Sequence, residues 1–150
     1  MESNPHYDNA FNDDPDASPY GWANVHIETG SRVLDLGCGT GVLSAHVLSE
    51  KDCVVRAVDT EAHSGLKIPR DALQILDLER DPEGLAELAR EFEPTVVLLL
   101  DVLEHLVDPE ALLATLAGCL SPEARILVSL PNVANASIVL RLLSNRFPYE

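Results

Sequence analysis

Apolar and polar positions along this chain fall into blocks of two kinds. Short runs dominated by apolar residues, "RVLDLG" at 32–37, "CVVRAVD" at 53–59, "ALQIL" at 72–76, "TVVLLL" at 95–100 and "ARILVSL" at 124–130, read as five strands. Between them lie stretches with helical spacing. A helix is expected from Val42 to about Glu50, and Leu85, Leu88, Ala89 and Phe92 stand at i, i+3, i+4 and i+7 of another. Asp81 is placed to cap that helix, with Pro82 at its first position. Asp108 and Pro109 repeat the same start, and Leu113, Leu116, Ala117 and Leu120 predict the next stripe. The run at 95–100 is apolar at every position after Thr95, which calls for cover on both faces and predicts the middle of the sheet. Strands alternating with helices imply a parallel sheet with right-handed crossovers, in an α/β sandwich of three layers.

The ends of the chain differ from this pattern. Residues 1–31 read as a leader or cap and 32–150 as the domain proper. The leader's first 20 residues are rich in Asn, Asp and Pro, carry Glu2, Asp8, Asp13, Asp14 and Asp16, and show no apolar period, the composition of a disordered segment. Yet Tyr7, Phe11, Tyr20 and Trp22 are concentrated here, in a chain with only three Phe, three Tyr and one Trp. They are expected to anchor the leader on the core, with Tyr20 and Trp22 also placed to cover a ligand. At the other end, Ile138, Val139, Leu140, Leu142 and Leu143 spread nearly all round a terminal helix. A helix apolar on every side needs cover, from a second copy of the chain or from further polypeptide over residues 136–143.

Charge removes several function classes. Ten Lys and Arg against 25 Asp and Glu give a formal charge of −15, so a nucleic acid or an anionic membrane would be repelled over most of the surface. No stretch approaches the roughly 20 apolar residues that a bilayer-spanning helix needs. Cys38, Cys53 and Cys119 are odd in number and far apart, which favours reduced thiols and a cytoplasmic setting over a disulfide frame or a zinc site.

The chemistry concentrates in "VLDLGCGTG", residues 33–41. A strand that ends at Gly37, with Gly39 and Gly41 leading into a helix, bares backbone at the carboxyl edge of the sheet, where open α/β folds bind ligands. A dinucleotide fingerprint would place a small residue where Val42 stands, which disfavours a nicotinamide-dependent oxidoreductase. The G-x-G-x-G spacing preceded by Asp35 instead resembles the first motif of class I S-adenosylmethionine-dependent methyltransferases. Asp59, closing the second strand, is a carboxylate able to accept hydrogen bonds from both ribose hydroxyls of an adenosine ligand. Asp77 in "ILDLE" matches the family position that contacts the adenine amino group. The resemblance runs from Arg32 to Pro148 through "DVLEHLVDP", and is strongest to small-molecule methyltransferases with an "EHL" loop.

That resemblance implies a Rossmann-like sandwich with parallel sheet order 3-2-1-4-5, the sixth and seventh family strands missing because the chain ends before them. It implies S-adenosylmethionine as cofactor, held along Asp35, Gly37, Cys38, Gly39, Gly41, Asp59, Asp77, Leu78 and Asp101. It also implies a small-molecule acceptor, in sugar, cell-surface or secondary-metabolite biosynthesis. The "PP[YFW]" turn of enzymes that methylate nucleic-acid bases is absent after strand four, in keeping with the acidic charge. Methyl transfer needs alignment, exclusion of water and, for a hydroxyl acceptor, removal of a proton. His105 is the candidate base. Asn132 and Asn135 are placed to hydrogen-bond an acceptor, although a turn and a cap explain them as well. Asp101, Glu104 and His105 on one turn resemble a magnesium loop, but oxygen-rich sites need further ligands and no metal is expected. His6, His26, His46 and His63 show no metal spacing and read as surface or packing residues. The rival to an enzyme is a cofactor-binding module without catalysis that associates through its terminal helix.

Overall fold

The computed structural model describes residues 11–132. The terminal helix, its apolar positions 138–143 and Asn135 lie outside them. The chain enters through α1 (Pro19–His26), which starts at the end of the stretch whose composition reads as disordered. Ser18 starts it, its hydroxyl accepting from the amides of Tyr20 and Gly21, with Pro19 at the first helical position. Then follow β1 (Arg32–Leu36), α2 (Val42–Glu50), β2 (Val54–Asp59), β3 (Leu73–Ile75), α3 (Pro82–Phe92), β4 (Val96–Leu100), α4 (Pro109–Cys119) and β5 (Arg125–Ser129). Asp81 and Asp108 cap α3 and α4 as their spacing predicts, accepting from Gly84 N and Ala111 N at 2.9 and 3.0 Å.

All strands pair in parallel, in the order β3-β2-β1-β4-β5. The centre of the sheet is therefore β1, not the fully apolar β4, which lies between β1 and β5. An apolar run reports cover on both faces, and Val96 to Leu99 are at most 1% exposed. It does not report lateral position. Successive residues of each strand feed opposite cores. Leu34, Leu36, Val97 and Leu99 join Leu85, Leu88 and Leu116 on the face covered by α3 and α4. Val33, Val96 and Leu98 join Ala23, Ile27, Leu43 and Val47 on the face of α1 and α2. The second difference from the expected pattern is the buried stripe of α4, which runs along Leu112 and Leu116. Leu113 and Leu120 only flank it, and Ala117 is exposed.

Two helix ends are tied to neighbouring elements by cations. The Arg32 guanidinium donates to Phe92 O at the end of α3 and lies 4.7 Å over the Phe92 ring. The Lys51 ammonium donates to Asn24 O and Ile27 O at the end of α1. The connection from β2 to β3 carries no α-helix; residues 60–69 are irregular and close in a short 3-10 turn at Arg70–Ala72. Among the described residues no helix is long and apolar enough to cross a membrane.

Candidate functional site

The carboxyl ends of β1, β2, β3 and β4 open into one cleft of about 810 Å³. Its floor is the loop between β1 and α2. That loop is stitched to β2 by Gly37 N and Cys38 N, which donate to Val58 O at 2.8 and 3.1 Å, and it turns on a Gly41 N to Cys38 O bond of 2.9 Å. Two glycines are required by space as well as by backbone conformation. Gly37 has φ 72° and a Cβ there would stand 2.6 Å from Val102 Cγ2. Gly41 has φ 74° at the start of α2, and a Cβ would meet Ile68 at 3.0 Å.

Beneath the loop Asp35 is buried, with its Oδ2 accepting from Ser44 Oγ at 2.6 Å. Burial pushes its carboxyl up from 3.8 to about 6; the Ser44 bond opposes the rise and the nearby Asp59 charge adds to it. The Cys38 thiol is pushed well above its usual range, first by burial and then by the charges of Asp35 and Asp59. It stays protonated at neutral pH and is not a nucleophile.

Asp59 ends β2 with its carboxylate held from three sides. Gly39 N donates to Oδ2 at 2.8 Å, Thr60 N to Oδ1 at 2.8 Å, and His63 Nε2 lies 3.3 Å from Oδ1. Asp77, after β3, accepts from the amides of Glu79 and Arg80 through Oδ1 at 3.0 and 3.1 Å. Asp101, after β4, is a non-glycine residue at φ 55°; its amide donates to Ser129 Oγ at 3.0 Å and its Oδ1 accepts from that hydroxyl at 2.7 Å. Backbone strain of this kind persists where neighbours over-determine it, as the reciprocal Ser129 pair does here. His105 ends a 3-10 turn, Leu103–His105, at the cleft wall.

The cleft thus gathers Tyr20, Gly37, Cys38, Gly39, Asp59, Asp77, Leu78, Asp101 and His105 from the residues expected there. Asp35 and Gly41 support the loop from behind instead of lining it. Trp22 turns away from the cleft, packing against the α1/α2 core with its ring 4.8 Å from that of His26. Asn132 follows Pro131, which is part of the wall. Sequence reading missed Thr60, Leu76, Val102 and Glu79. Glu79 joins two loops, its Oε1 accepting from Val107 N at 2.7 Å and Asp108 N at 3.1 Å. It also took His63 for a surface or packing residue, with only its place four residues after Asp59 to suggest otherwise. Among the described residues no group of three or more His, Cys, Asp or Glu is arranged to hold a metal ion.

A glycine loop after the central strand, with carboxylates closing the next two, defines a nucleotide-binding crevice of the doubly wound α/β type. Residues 17–149 match the family described as a methyltransferase domain, and the chain belongs to that family, within the class I S-adenosylmethionine-dependent methyltransferases. Similar proteins include the ubiquinone biosynthesis O-methyltransferases of Rhizobium johnstonii, 34% identical over 106 residues, and Idiomarina loihiensis, 37% identical over 109. Each alignment covers 69% of this chain but only 42% and 43% of those relatives, so the chain spans less than half their length. Among solved structures, magnesium protoporphyrin IX methyltransferase from Synechocystis with bound SAH superposes with a TM-score of 0.57 at 20% identity, over 91% of this chain and 63% of that one. This last likeness is one of fold.

Proposed function

We propose that this chain binds S-adenosylmethionine and catalyses methyl transfer to a small-molecule acceptor. The observation that carries the reading is the convergence of the glycine loop, Asp59 and Asp77 on one 810 Å³ cleft. The residues present fit the cofactor. The space at Gly37 that a Cβ would close lets a ligand approach the backbone, and the Asp59 and Asp77 carboxylates line the cleft as acceptors for donors of the kind a ribose diol and an adenine amine would bring. In this reading Gly37, Cys38 and Gly39 hold the amino-acid end, Asp59 the ribose, Asp77 and Leu78 the adenine, and Asp101 the ammonium group. Asp35 acts through the loop, which its bond to Ser44 fixes from below.

Bound S-adenosylmethionine would supply an electrophilic methyl group on a leaving sulfonium. The chain's part is then to align and to manage one proton. Tyr20 and Pro131 narrow the cleft against water, and His105 takes the acceptor's proton as its oxygen becomes the nucleophile. An oxygen acceptor is supported by the O-methyltransferase names of the relatives, and a reducing, cytoplasmic setting by the free thiols of Cys38, Cys53 and Cys119.

Calorimetric titration with S-adenosylhomocysteine tests the reading. Saturable binding that Asp59→Ala weakens by roughly 30-fold or more is the expected result, as for loss of a charged hydrogen-bond acceptor. No binding by a folded chain would sink it. Binding without turnover of any hydroxylated acceptor would favour the non-catalytic module.

A further inference from the structure

The segment between β2 and β3 carries no α-helix, yet it is fastened at three points, two on the glycine loop and one on the end of β2. Lys67 N donates to Thr40 O at 2.8 Å. Ile68 packs under Gly41, so closely that a Cβ on the glycine would meet it at 3.0 Å. The third point is His63, whose Nε2 lies 3.3 Å from Asp59 Oδ1, the imidazole and carboxylate being only 16% and 13% exposed. On its other side the ring's Nδ1 lies 3.8 Å from Glu61 Oε1.

We infer that His63 is a positioning residue for the Asp59 carboxylate and so sets the affinity for the ribose-bearing cofactor; the inference rests on the cofactor reading above. A carboxylate has about four lone-pair sites. Gly39 N takes one on Oδ2, and Thr60 N and His63 take those on Oδ1. The two amides belong to two different loops, one on each side of the strand ends. His63 is the side chain that reaches Oδ1 from further along the crossover, so with the two amides it fixes the carboxylate in rotation and leaves an Oδ2 site for a ligand hydroxyl. Ordering the carboxylate before the ligand arrives removes a cost that binding would otherwise carry. The Thr60 hydroxyl also reaches Oδ1, at 3.4 Å, but it belongs to the residue whose own amide already holds that oxygen, so it adds no anchor from further along the crossover.

The experiment is S-adenosylhomocysteine titration of the full chain as wild type, His63→Ala and His63→Gln, each also in an Asp59→Ala background, with thermal unfolding measured alongside. Glutamine keeps an N–H donor at comparable reach. The expected pattern is a weakening of roughly three- to tenfold in His63→Ala, recovery in His63→Gln, and no further loss when His63→Ala is added to Asp59→Ala. Unchanged or tighter binding in His63→Ala overturns the inference, because the imidazole would then be idle or competing with the ribose. Failure of glutamine to restore affinity, or an equal loss without Asp59, overturns it in favour of a purely structural hold on the crossover. If wild type itself shows no saturable binding, the cofactor reading falls and takes this inference with it; if wild type binds and the pattern is absent, only the inference falls.

Discussion

Gly37 and Asp35 stand two residues apart under opposite constraints. Gly37 is needed for a left-handed backbone and for the room its missing Cβ leaves beside Val102. Gly37→Ala should therefore destabilise the fold by about 1–3 kcal/mol in a denaturant titration, and should weaken cofactor binding under conditions where the variant is still folded. Asp35 is a cost in the free protein. Below an unfolded value near 3.8 both states hold its proton and no penalty exists. Between that value and about 6 only the folded chain keeps the proton, so this group's contribution falls as pH rises, and above about 6 the penalty is complete. Asp35→Asn should remove that slope and leave the variant more stable than wild type at pH 7 by on the order of 2 kcal/mol. The comparison is made by chemical denaturation at several pH values, and parallel wild-type and variant profiles between pH 4 and about 6 would contradict it. The two residues were legible for different reasons. Glycine spacing announces a loop directly, whereas the burial of Asp35 depends on Ser44 and on the layers above and below β1, which no local pattern states.

At the scale of elements, the strands and the helices α2, α3 and α4 could be read from periodicity and caps, but α1 could not. Its eight residues "PYGWANVH" include a glycine, an asparagine and a histidine, and bury only a narrow stripe. The signal that did exist was local, Ser18 before Pro19, the same cap-then-proline start that marks α3 and α4. What makes α1 hold is tertiary: Ala23 and Ile27 lie buried in the core shared with α2, and Lys51 closes its last turn. A helix this short is not stable alone. Lys51→Met should accordingly cost about 1–2 kcal/mol and loosen α1 selectively. Hydrogen exchange should speed up at residues 23–27 while the β1 and β4 amides keep their protection; uniform acceleration throughout would mean that α1 does not open as a separate unit. Because Tyr20 lies on α1 and lines the cleft, the same variant should also weaken acceptor binding more than it weakens cofactor binding.

Across the whole molecule, the formal charge of −15 acts on the ligand as well as on the fold. Asp59, Asp77, Glu79, Asp101 and Glu104 all line the cleft, and no Lys or Arg does so among the described residues. A surface of one sign focuses its field into a concave, low-dielectric site. S-adenosylmethionine carries one more positive charge than its demethylated product, so this field should favour the substrate form and assist exchange after turnover. The effect is electrostatic and must be screened by salt. Raising NaCl from about 20 mM to about 500 mM should weaken S-adenosylmethionine binding by roughly threefold or more, while S-adenosylhomocysteine changes by less than about twofold. Competition between the two ligands at both salt concentrations measures the ratio directly. Equal salt dependence would show that the carboxylates act only as local hydrogen-bond acceptors and that the charge read from the composition stops at the surface.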